Sequence, residues 1–178
     1  MKTLVKKAVR CLRRLFSGTH KTAAAVNLRK DLVQYPVQDH VCLTVFWKVL
    51  DVGRGPATSL YIHGLEVLKF DCFGEHQGHY HIALRGDEGA SQIRLFLPEP
   101  TVEEQIDRMW FELTTNLDYY LQRNPDPRVR KTRVAPENIE KLRAQIKATM
   151  LEYQGKAMSH HREAGTMTKE AITEFPTD

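Results

Sequence analysis

From residue 40 to residue 98 apolar side chains return at every second position, and this alternation constrains the chain more than any other feature. In "HVCLTVFWKVL", Val41, Leu43, Val45, Trp47 and Val49 fall on one side of an extended chain. Successive side chains of a strand point to opposite faces, so this spacing describes a strand with one buried side. The β-branched and aromatic types suit a pleated surface. "DVGRGP" then supplies a turn signal, and "TSLYI" and "EVLKFDCF" follow across "HGL", a short hairpin loop. The expected register sets Leu60 against Leu68 and Ile62 against Glu66. "HYHIALR" and "QIRLFLP" read as two more strands around "GDEGA". About five strands with short connections predict an antiparallel meander.

After residue 100 the period lengthens to that of a helix. Thr101 and Glu104 form a capping box, in which each side chain satisfies the other's backbone amide. Val102, Ile106, Met109, Trp110, Leu113, Leu117, Tyr120 and Leu121 follow as an apolar stripe that "RNPDP" stops. A second helix starts at Pro136, carries Ile139, Leu142, Ile146, Met150 and Tyr153 on one side, and takes Gly155 as its cap. Two such stripes on one sheet face give an α+β fold of two layers. Residues 40–156 form its single domain, and residues 157–178, which lack a period, are expected to be a mobile tail.

The charge is unevenly spread. Residues 1–30 hold nine of the 26 basic residues and no acid, leaving 17 basic residues against all 22 acids in the remainder. Residues 1–18, "MKTLVKKAVRCLRRLFSG", read as a basic amphipathic helix, with Leu4, Val5, Ala8, Leu12, Leu15 and Phe16 on one side. Lys6, Lys7, Arg10, Arg13 and Arg14 cover the other side and are candidates for contact with an anionic membrane surface or a larger assembly. An Arg-rich segment without acids is also the composition of a mitochondrial presequence, which gives the matrix as the alternative to a cytoplasmic, membrane-peripheral location. Nucleic acid fits poorly with an acidic body. Residues 19–39 are expected to be a linker or a docked arm. Arg128, Arg130 and Lys131, between the two helices, extend the cationic set. Three cysteines without a CxxC pair argue against a disulfide framework and for a reducing compartment.

The chemistry concentrates in "FDCFGEHQGHYHIALRG". With Tyr80, Ile82 and Leu84 facing the core, His79, His81 and Arg85 share the opposite, wet side, joined by Lys69, Asp71 and Arg94 from neighbouring strands. Two imidazoles two residues apart on a strand can bind one divalent metal, with His76, Asp71 or Glu75 as further ligands. The nearby arginines repel a cation, so the same face also reads as a surface for a partner, with Lys69, Arg85 and Arg94 as its contacts. The chain carries no dinucleotide fingerprint, P-loop, zincin motif or nucleophile elbow. The reading that follows is a non-enzymatic accessory protein, with a protein partner on the polar face, a docking leader and no cofactor. A metal-dependent protein using His79 and His81 is the alternative.

Overall fold

The computed structural model describes residues 29–50, 53–82 and 93–173, with side chains through residue 160. The leader helix, with Lys6, Lys7, Arg10, Arg13 and Arg14, and Arg85 in the 83–92 connection lie outside the described residues. Six strands form one antiparallel sheet in chain order: β1 (Lys30–Gln38), β2 (Val41–Leu50), β3 (Gly53–Ile62), β4 (Leu65–Asp71), β5 (His79–Ile82) and β6 (Ile93–Phe96). Five helical segments follow: α1 (Val102–Thr115), α2 (Leu117–Gln122), α3 (Pro127–Lys131), α4 (Pro136–Glu140) and α5 (Arg143–Thr173). No helix among the described residues is long and apolar enough to cross a membrane.

The strand β1 takes Lys30–Gln38 out of the expected linker or docked arm, whose first part, residues 19–28, lies outside the described residues. Tyr35 is buried and Val37 packs against the core. Pro36 hid the strand from the sequence pattern, because proline cannot donate to a ladder. An edge strand tolerates that, and β1 is an edge of the sheet among the described residues. The expected turn "DVGRGP" is also largely strand, with Leu50 already paired to Gly53. Its glycines serve a close passage. A Cβ at Gly55 would stand 2.8 Å from the Cys72 carbonyl oxygen, and one at Gly53 would press on the Phe73 ring. Leu60 does oppose Leu68, but an irregularity after it sets Tyr61 against Glu66 and Ile62 against Leu65.

Leu43, Val45, Leu60, Leu68, Phe70 and Tyr80 form the apolar side of the sheet and meet Ile106, Met109, Trp110, Leu113, Ile146 and Met150 from the helices. The packing includes polar stitches: Thr58 Oγ1 donates to Met150 Sδ at 3.2 Å, and Tyr35 shares a 2.7 Å hydrogen bond with Thr149. The capping box is formed, with Thr101 Oγ1 accepting from the Glu104 amide at 3.2 Å. The first predicted helix divides at Asn116 into α1 and α2. The second divides at Lys141 and Leu142 into α4 and α5. The helix α5 runs through Gly155 to Thr173, so the glycine is not a cap and most of the expected tail is helical. Ala, Met, Glu, Lys and Arg in that stretch favour helix without any apolar stripe. The apolar positions of "QIRLFLP" are unequally buried. Leu97, just after the strand, is buried, while Ile93 is 51% exposed and Leu95 37%.

Candidate metal centre

Strand register brings two strips of side chains across the sheet on the side away from the helices. One strip runs Phe46, Ala57, Asp71, His79, Phe96; the next runs Thr44, Ser59, Lys69, His81, Arg94. Directly opposed residues of antiparallel strands hold their Cβ atoms about 5 Å apart. Asp71 and His79 are such a pair, and His81 stands one strip away on the same side. The alternation therefore assigned the histidines to the correct side of β5.

It did not assign them to the correct environment. His79 and His81 are each 4% exposed, Asp71 2% and Lys48 6%. The expected wet face is buried here. Phe73 packs edge-on against the His79 ring with centroids 5.9 Å apart, and Phe96 lies 6.1 Å away. The two imidazoles are themselves 4.9 Å apart. Period-two patterning says which side a residue occupies and leaves open whether that side meets water.

The three side chains converge. Asp71 Oδ2 lies 3.3 Å from His79 Nε2 and 3.5 Å from His81 Nε2, and one ligand atom from each residue falls within 4.8 Å of the others. Asp71 Oδ1 receives Lys48 Nζ at 2.5 Å, and Lys69 Nζ stands 3.8 Å from Oδ2. Burial alone would raise the Asp71 pKa. The imidazole hydrogen bonds and the two ammonium charges outweigh it and hold the group well below the usual carboxylate range. Burial also pushes the Lys48 pKa down, against the pull of Asp71, and lowers that of His81.

The ring nitrogens give the arrangement its chemistry. His79 Nδ1 lies 2.8 Å from the Gln77 carbonyl oxygen, which can only accept, so Nδ1 carries the proton. Nε2 is then left facing Asp71 Oδ2, to which it donates when protonated and where, in the neutral ring, it offers a lone pair that a metal ion can take. A backbone carbonyl on one ring nitrogen is the usual means of aiming the other at a metal. His81 Nδ1 is buried without a hydrogen-bond partner. Donors at 2.0–2.1 Å around a tetrahedral ion stand roughly 3.3–3.5 Å from one another. The two Asp71–imidazole distances lie in that range.

The segment that delivers His79 is held from behind. Gln105 is fully buried, accepts from the Gly74 amide at 2.9 Å and donates to the Glu99 carbonyl at 2.7 Å. It fills the space that a Cβ at Gly78 would need, and the Gly78 carbonyl in turn accepts from the Leu97 amide. Beside the centre, Arg29 donates to Tyr61 at 2.6 Å and to Glu66 at 2.9 Å, and Ser59 donates to Glu66 at 2.5 Å.

The other candidates fare unequally. His76 and Glu75 are exposed in the 74–77 turn and stay outside the convergent group. Lys69 adjoins it, and Arg94 is exposed beside His81. In the basic connector Arg128 pairs with Asp126 at 2.6 Å, and Arg130 donates to the Asn124 and Pro125 carbonyls, so both close local turns; Lys131 is exposed. Cys72 faces the helices, and burial raises its thiol pKa far beyond the reactive range. His160, within the expected tail, stands on α5 against Trp47, 2.8 Å from Lys30 Nζ. The sequence reading missed Lys48 as the partner of Asp71. Its signal was a charged residue in phase with Phe46, on the side opposite Val45 and Trp47.

In comparisons with known proteins, no family model, no curated protein and no solved structure matches this chain.

Proposed function

We propose that the protein binds a divalent transition metal through Asp71 Oδ2 and the Nε2 atoms of His79 and His81. The observation that carries this reading is the buried convergence of these three atoms, with His79 fixed by the Gln77 carbonyl so that its lone pair points inward. Two imidazoles and one carboxylate suit zinc, iron(II), cobalt or nickel better than calcium or magnesium. Three protein ligands leave a coordination position for a water or a substrate oxygen, as reactive centres do and closed structural sites do not. Lys48 holds Oδ1, which leaves Oδ2 as the donor and makes the carboxylate monodentate.

The test is metal content by plasma mass spectrometry after gentle purification, followed by calorimetric titration of the apo protein with zinc and cobalt. One ion per chain is expected, and the His79→Ala/His81→Ala double variant should lose it. Stoichiometric binding that persists in the double variant would exclude this site.

A second reading, a protein partner, is favoured by one observation. The edge strand β6 exposes Ile93 and Phe96, the latter by 65%, a combination that sheets usually conceal. Cross-linking in native cells through a photoreactive residue at position 96 tests it, and an absence of adducts there would count against it.

A further inference from the structure

Among the described residues around the proposed centre, basic side chains outnumber acidic ones. Lys48 and Lys69 both approach Asp71, and Arg94 faces the same side from β6, directly across from His81. Two ammonium groups thus meet one carboxylate, and a third basic residue stands on the same side of the sheet. Glu66, the next acid on this side, is already engaged by Arg29. A divalent ion would add two further positive charges to an existing excess, in a buried place where uncompensated charge is expensive. An anion entering with the metal would offset that excess.

The cations are also graded by position. Lys48 is enclosed, with 8% of its side chain exposed, and is committed to Asp71 Oδ1. Lys69 is more open at 15%, and Arg94 is exposed. These two flank His81 from the strands on either side of it. A solute reaching the metal past them would meet an ammonium and a guanidinium, the pair of donors best suited to oxygen anions.

We propose, building on the metal reading above, that the open coordination position is filled by a small multivalent oxyanion, one oxygen on the metal and the others paired with Lys69 and Arg94. The ligand class is a compact dicarboxylate or a phosphate. Lys48 is a positioning residue, holding Asp71 so that one oxygen remains for the metal. The anion displaces a water ligand, no covalent bond is made or broken, and its charge offsets the cations on this side of the sheet.

The experiment uses the full chain loaded with cobalt(II), whose visible absorption reports its ligands. Sodium oxalate and inorganic phosphate are titrated in separate arms, with sodium chloride as the ionic-strength control. A saturable change with either oxyanion and none with chloride is expected; the responding arm identifies the carboxylate or the phosphate class. Lys69→Met should act in opposite directions on the two halves. Cobalt alone should bind several-fold tighter once a neighbouring cation is gone, and half-saturation by the oxyanion should need about tenfold more of it. Arg94→Gln, at an exposed position that the fold does not rely on, should weaken the oxyanion response as well. A spectrum indifferent to both oxyanions, or one that decays to free cobalt as they strip the metal, would overturn the proposal while leaving the metal site standing. Failure of cobalt to bind at all would remove both together.

Discussion

Replacing Asp71 by Asn removes one charge and almost no volume, which makes it a clean probe of the polar side of the sheet. In the native chain Lys48 Nζ lies 2.5 Å from Asp71 Oδ1, and both residues are at least nine-tenths buried. With an effective dielectric constant of about 20, unit charges at that separation attract by roughly 6–7 kcal/mol. Desolvation of the two ions takes back part of this. Measured losses on removing one partner of a buried pair fall at about 3–5 kcal/mol, because the other charge is left unpaired. Lys69 does not relieve the loss, since it is itself a cation on the same carboxylate. D71N should therefore lose about 3–5 kcal/mol in urea unfolding at neutral pH in the presence of a chelator, which keeps metal out of the comparison. Adding Lys48→Met to D71N should recover most of that, since the stranded ammonium is then gone. A D71N variant within 1 kcal/mol of the parent, or a double variant no better than D71N, would refute the claim that a buried ion pair underlies the site.

Two further outcomes follow from the same structure. Burial raises the pKa of the Tyr61 and Tyr120 hydroxyls, which also bond to Arg29, Glu66 and Glu112. A folded pKa above the ordinary value of 10.0 means stability that is complete below pH 10 and lost above it, because only the unfolded chain ionises there. Tyrosinate absorbance at these two residues should appear only together with loss of the far-ultraviolet helix signal, and early, non-cooperative ionisation of both would contradict their burial. Gly78→Ala should cost about 2 kcal/mol in thermal unfolding, since its methyl group displaces Gln105 and with it one buried and one partly buried hydrogen bond. The same substitution should weaken zinc binding, because Gly78 adjoins His79; unchanged affinity would detach the Gln105 support from the centre.

How much of this was legible in the sequence depends on which physical signal each part rests on. The phase of β2, β4 and β5 was readable because Leu43, Leu68 and Tyr80 recur with period two, and the start of α1 because Thr101 and Glu104 satisfy each other's amides. The strand β1 was hidden by a proline that only an edge position tolerates. The length of α5 was hidden because its last turns are helical by composition, without an apolar stripe. At the centre, His79, His81 and Asp71 could be placed on one side of the sheet, but their enclosure could not. Alternation is a local property, whereas burial of the second side depends on how aromatic neighbours such as Phe73 and Phe96 fold against it, which strand phase does not record. Lys48 escaped for a related reason: its tie to Asp71 skips over a strand, and no short-range pattern records it.

The most direct measurement of the central claim is X-ray absorption at the zinc edge of the zinc-loaded protein. The structure predicts a first shell of nitrogen and oxygen only, at about 2.0–2.1 Å, with the outer-shell scattering of two imidazole rings that disappears in the His79→Ala/His81→Ala variant. A sulfur scatterer at about 2.3 Å, or a spectrum unchanged by the double substitution, would contradict it.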